Sequence, residues 1–149
     1  MSAIAEQQEV DIANKKPSYL LRVNQLYSDI RKWLQDEPLL LESKDMDIIE
    51  ALGHYKVPFL SIKTLEGEVL ADFRPTGSSA LLAEGSIDVD GMVDRGYILY
   101  MLASDPQTFF KIDVDGWYWV KARINVEAHL LNDKTQLLQL ITWVSDYEF

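Results

Sequence analysis

Residues 56–74 read KVPFLSIKTLEGEVLADFR, and this stretch decides the fold. Val69, Ala71 and Phe73 alternate with Asp72 and Arg74, the period of a half-buried strand. Residues 57–64 and 68–74 flank Leu65-Glu66-Gly67, where glycine can take the positive φ of a tight reversal. A hairpin is expected here, and with it an antiparallel sheet.

The strand signal continues downstream. Pro75-Thr76-Gly77 breaks the chain; 80–83 and 86–89 then read as short strands separated by Gly85, a bend or bulge. Residues 97–102 form a further apolar strand. Residues 109–114 and 117–125 read as a second hairpin around Asp115-Gly116. The pentapeptide IDVDG occurs at 87–91 and again at 112–116, but its surroundings differ, so no duplicated domain follows.

Helical periodicity brackets these strands. Tyr19, Leu20, Val23, Leu26, Tyr27, Ile30, Trp33 and Leu34 fall on one side of residues 18–35, with Arg22, Gln25, Asp29 and Lys32 opposite. Ser18 is placed to cap this helix and Pro38 to stop it. Residues 1–16 are polar and end in Asn14-Lys15-Lys16-Pro17, which reads as a mobile or weakly helical lead-in to a domain spanning 17–149. Ser43 or Asp45 followed by Met46, Ile48, Ile49 and Leu52 predicts a brief capped helix closing at Gly53. At the other end, Asp133 and Gln136 form a capping-box pattern ahead of Leu137, Leu140, Ile141 and Val144, although the β-branched and aromatic content of 133–147 leaves a strand as the alternative. The expected fold is a single α+β domain. Its antiparallel sheet has six or seven short strands, flanked by an N-terminal amphipathic helix, a short second helix and a C-terminal helix.

Composition bounds the function. The 149 residues, 48% hydrophobic and 26% charged, suit one globular domain. The longest wholly apolar run, 97–103, is far too short to span a bilayer, and the amino terminus has no secretory pattern, so a cytoplasmic protein is expected. With no cysteine there are no disulfides, thiolate metal sites or thiol nucleophiles. The net charge of −10 disfavours nucleic acid and anionic lipid as partners. Lys15, Lys16, Arg22, Arg31 and Lys32 against Asp29 alone make the first helix basic on an acidic body; these cations either pair with acids of the same chain or orient an encounter.

Chemical motifs are weak. Aligned to an EF-hand, the two Asp-x-Asp-Gly elements place Ser86 and Tyr97, or Lys111 and Ala122, at the first and twelfth ligand positions, so neither copy fits. Glu42-Ser43-Lys44 superficially matches a magnesium-dependent nuclease, but Asp36 is too close to supply the second carboxylate and Ser43 is explained by helix capping. His54 and His129 lie in no ligand spacing, Gly77-Ser78-Ser79 is not a nucleophile elbow, and no phosphate-binding glycine loop occurs. No catalytic residue, metal or cofactor is assigned.

These residues favour a non-catalytic acidic protein that binds a basic protein, of the immunity or inhibitor type. The expected contact set is Glu84, Asp88, Asp90, Asp94, Asp113 and Asp115, if they form one surface, together with Trp117 and Trp119, which share a strand face with Lys121 and Arg123. The tryptophans either anchor a partner or enter the core. The alternative is a small-molecule or carbohydrate binding module using that aromatic face, and a metal-dependent hydrolase comes third. The failed ligand positions carry one expectation: thermal melts with chelator and with millimolar calcium share one midpoint, and a rise of several degrees in calcium contradicts it.

Overall fold

A computed structural model describes residues 3–50, 53–77, 84–104, 110, 112–122 and 127–149, with the backbone alone at 3–17, 50 and 53. The elements are helix α1 (Ala3–Trp33), strands β1 (Leu39–Glu50), β2 (Gly53–Thr64), β3 (Val69–Gly77), β4 (Ser86–Asp90), β5 (Arg95–Met101), β6 (Gly116–Lys121) and β7 (His129–Leu130), and helix α2 (Lys134–Ser145). The strands pair in sequence order into one antiparallel sheet. This is the expected α+β arrangement, and 65–67 form the expected turn, with Gly67 at φ 94°.

Register fixes which side chains meet. Leu60 lies opposite Phe73, Phe73 opposite Val89, Ile87 opposite Ile98, and Ile98 opposite Trp119. Opposed residues of antiparallel strands share a face, so these apolar side chains make one continuous row. Both helices cover it. Tyr19, Val23, Leu26, Tyr27 and Ile30 of α1 and Leu137, Leu140, Ile141 and Val144 of α2 join the same buried cluster. The Tyr27 ring stands edge-on to Phe73 at 6.4 Å, and its hydroxyl donates to the Phe73 carbonyl. Burial pushes that hydroxyl well above its usual pKa, so it stays a neutral donor. Emptying a large aromatic site in such a core costs about 3–5 kcal/mol.

Several expectations are corrected. α1 starts at Ala3, so Ser18 lies inside the helix and does not cap it; a proline's φ is itself helical, and Pro17 sits within the helix without ending it. The short second helix is a strand: Met46 lies opposite Val57 and Ile48 opposite Tyr55 in a long hairpin, and cross-strand pairing overrides the local helical spacing. Gly53 opens β2 instead of closing a helix. Residues 112–115 form no strand, and β6 pairs with β5 instead, so Asp115-Gly116 is not a hairpin tip. The strand expected at 80–83 lies outside the described residues. The C-terminal segment resolves as helix: Asp133 accepts from the Gln136 N–H at 2.9 Å, as the capping pattern predicts, whereas the Gln136 side chain accepts from Trp119 Nε1 at 3.0 Å. Lys134 joins α2 to the turn after α1 through Glu37, 2.9 Å away.

The Gly91–Asp94 loop is docked on the last turn of α2. Both Val93 N–H and Asp94 N–H donate to the Val144 carbonyl, at 2.9 and 3.0 Å. Gly91 is needed for proximity, since a Cβ there would lie 2.1 Å from that same oxygen, and its φ is not positive. Gly91→Ala must therefore push the loop off the helix, at a cost of about 1–3 kcal/mol typical of overpacking. Urea unfolding checks this; an unchanged midpoint contradicts the docking.

Candidate functional site

The side chains of opposite parity form the other face of the sheet. Ser61 faces Asp72, Asp72 faces Asp90, Asp90 faces Arg95, Arg74 faces Asp88, and Asp88 faces Tyr97. Acids and arginines interleave across three strands, β3, β4 and β5. Asp90 accepts from Arg74 Nη2 at 2.8 Å and from Arg95 Nε at 2.6 Å, Asp88 lies 3.7 Å from Arg74, and Asp72 accepts from Ser61 Oγ at 2.6 Å. Asp72 and Asp90 are like charges directly opposite one another, which the flanking arginines offset. At one end this face carries a small second cluster, where Met101 and Tyr118 pack with Leu99, Phe110, Ile112 and Leu130.

The six expected acids do not form one surface. Asp90 and Asp94 lie at the end of β5 where Arg95 begins it, whereas Gly116 pairs with Met101 at the other end, roughly 20 Å away at the usual rise per residue. Asp113 and Asp115 are at that far end, where Asp115 accepts from Ala103 N–H at 2.8 Å. Glu84 joins them there, its N–H donating to Tyr100. Asp88 is in mid-strand on the charged face. The tryptophans enter the core: Trp117 and Trp119 are 7% and 3% exposed, and their Nε1 atoms donate to the Arg22 carbonyl and to Gln136. Lys121 shares their face and holds its Nζ 4.6 Å from the Trp143 ring centre; Arg123 lies outside the described residues. Of the basic helix, Arg22 stacks on Tyr100 at 4.0 Å and Arg31 donates to Ser43 Oγ.

A different surface assembles at the near end. The 65–67 turn and the Gly91–Asp94 loop both lie there, because β2, β3, β4 and β5 all turn at that end, and the loop docks on Val144 in the last turn of α2. Large exposed apolar side chains stand on these segments, Leu65 (58%) on the first turn, Met92 (86%) and Val93 (60%) on the loop and Phe149 (45%) after α2. Glu66, Glu68, Asp94, Asp146 and Glu148 are acids of the same stretches of chain. Two apolar residues at the crown of a hairpin, Met92-Val93, were the legible signal for this surface. Beside it a groove of about 800 Å³ runs between α2, β6 and the C-terminal residues, lined by Trp143, Tyr147, Phe149, Lys121 and Gln139 among others.

Among the described residues no group of three or more His, Asp or Glu could hold a metal ion, and no helix is long and apolar enough to cross a membrane. Asp88 and Asp90 face arginines, the reverse of a cation site. Glu42 pairs with Lys63 at 2.9 Å and Lys44 lies over Phe59, so this motif belongs to a strand and not to a helix start. No protein-family model, curated protein or solved structure matches the chain.

The charged face makes a pH-resolved expectation. Desolvation by burial raises the Asp88 carboxyl above its usual 3.8, and Asp90 adds to this, while Arg74 and Arg95 oppose it. The folded state thus holds this proton more tightly than the unfolded chain. The resulting penalty is present above the raised pKa and vanishes as pH falls below the usual value. Asp88→Asn should melt higher than the parent at neutral pH, with the gap closing in acid, whereas Asp90→Asn should melt lower because two arginines lose their partner. Melting curves across pH check both; a lower midpoint for Asp88→Asn at neutral pH contradicts the assignment.

Proposed function

We propose that this chain is a non-catalytic binding protein that holds a basic protein, in the manner of an immunity protein or inhibitor, and that the end of the sheet formed by 65–67, Gly91–Asp94 and the residues after α2 is its contact surface. The observation that carries the reading is the pair of large exposed apolar side chains, Met92 and Val93, on a loop that is docked on α2 and carries the Asp94 carboxylate. Apolar anchors inside a charged rim are the anatomy of a protein interface: the anchors set the lifetime of the complex and the rim sets its rate of formation. The docking of the 91–94 loop on α2 supports the same reading, because a loop held by two hydrogen bonds loses little freedom on binding. The aromatic sheet face on which a carbohydrate module would rest is core, since Trp117 and Trp119 are buried.

The test starts from a basic partner captured from native lysate, eluted by a salt gradient and purified, and then measures rates on the isolated pair. Met92→Ala with Val93→Ala should speed dissociation about fivefold or more, as loss of an anchor worth over 1 kcal/mol does. Glu66→Gln with Asp94→Asn and Glu148→Gln should slow association, and the difference should fade as salt shortens the screening length. Asp113→Asn with Asp115→Asn, at the far end, should change neither rate. Loss of binding in the far-end variant, with the near-end variants unaffected, contradicts the assignment.

A further inference from the structure

β1 is an edge strand, and no strand among the described residues pairs with its outer side. It pairs with β2 in continuous register from Leu39 opposite Thr64 to Glu50 opposite Gly53, without a bulge, and it contains no proline. Natural sheets usually blunt such an edge with a bulge, a proline or a charge, and β1 has only its charges. Those charges are spaced for self-pairing. Glu42 and Lys44 point to one face, Ser43 and Asp45 to the other.

In a symmetric antiparallel pairing of two β1 strands, the two-fold axis stands perpendicular to the sheet, and opposed residues share a face. The axis must therefore pass through a residue. Centred on Glu42, Lys44, Asp45 or Asp47, that residue meets its own like charge; centred on Met46, Asp45 meets Asp47. Centred on Ser43, Glu42 of each copy lies opposite Lys44 of the other, twice, and Leu40 lies opposite Met46 on the same face. Leu40 is among the exposed large apolar residues of the chain. On the other face Arg31, 3.1 Å from Ser43 Oγ, comes next to the axis, and Asp45 of each copy lies opposite Leu41 of the other. Like charges directly opposite destabilise a strand pair and opposite charges stabilise it, so among the registers centred on 42–47 the one on Ser43 alone pairs opposite charges without setting like charges against each other.

We propose that a second copy of this chain docks on the β1 edge, centred on Ser43, joining the two sheets into one. This surface is separate from the near-end surface proposed above, so the two readings stand or fall independently.

Sedimentation of the parent and of two charge variants tests the pairing. The parent should sediment at twice the 17.1 kDa of the chain. Glu42→Lys alone and Lys44→Glu alone each place like charges opposite one another, and each should weaken self-association at least tenfold. Mixed together they should associate with each other, because every opposed pair is then complementary, which a folding defect cannot imitate. Because the chain has no cysteine, Ser43→Cys gives a second reading. Opposed Cα atoms about 4.5–5.5 Å apart admit a disulfide, so this variant should cross-link under mild oxidation while Ile49→Cys does not. A monomeric parent, single charge variants that associate like the parent, a mixture that fails to associate, or equal cross-linking at both cysteines overturns the proposal.

Discussion

One alternation, carried without a slip through the middle of the sheet, organises this molecule. Leu60, Phe73, Val89, Ile87, Ile98 and Trp119 hold one parity, and Ser61, Asp72, Arg74, Asp88, Asp90 and Arg95 hold the other. Moving any central strand by one residue would put a carboxylate under α1 or α2 and an aliphatic side chain among the arginines. Register is therefore specified by the core, and the charged face follows from it. The two helices lie on the apolar parity, and Lys134 of α2 is joined to Glu37 in the turn after α1.

That division also sorts the acids. Two acids of β4 are engaged by arginines: Asp90 holds two, and Asp88 is partly desolvated beside one. In the turns, Asp115 accepts from Ala103 N–H and Asp94 from Arg95 N–H, and the docking of Gly91–Asp94 on the Val144 carbonyl fixes where that loop sits.

The sequence made the sheet legible where alternation and turn chemistry agree, as at 56–74, and made α2 legible down to its cap and its four buried residues. It failed at 43–50 because Met46, Ile48 and Ile49 fit a helical turn as well as they fit a strand, and only their partners across the hairpin decide between the two. Asp115-Gly116 misled for a related reason: the dipeptide permits a hairpin, but the partner of β6 is β5, and that pairing is not local. The acidic residues were individually visible, yet whether two turns share an end of a sheet depends on strand direction, which composition does not encode. The size of Trp117 and Trp119 favours the core over a surface anchor, and the helices that cover their face place them there.

The central claim is that recognition belongs to the near end of the sheet, with the charged face and the far end outside it. Hydroxyl-radical footprinting of the chain, alone and bound to its purified basic partner, reads this residue by residue, with Met92 as a reactive and almost fully exposed reporter. The account predicts that oxidation of Met92, Leu65 and Phe149 falls on binding while that of Tyr97 and Val114 does not change. Protection of Tyr97 or Val114 with Met92 still fully reactive would contradict it.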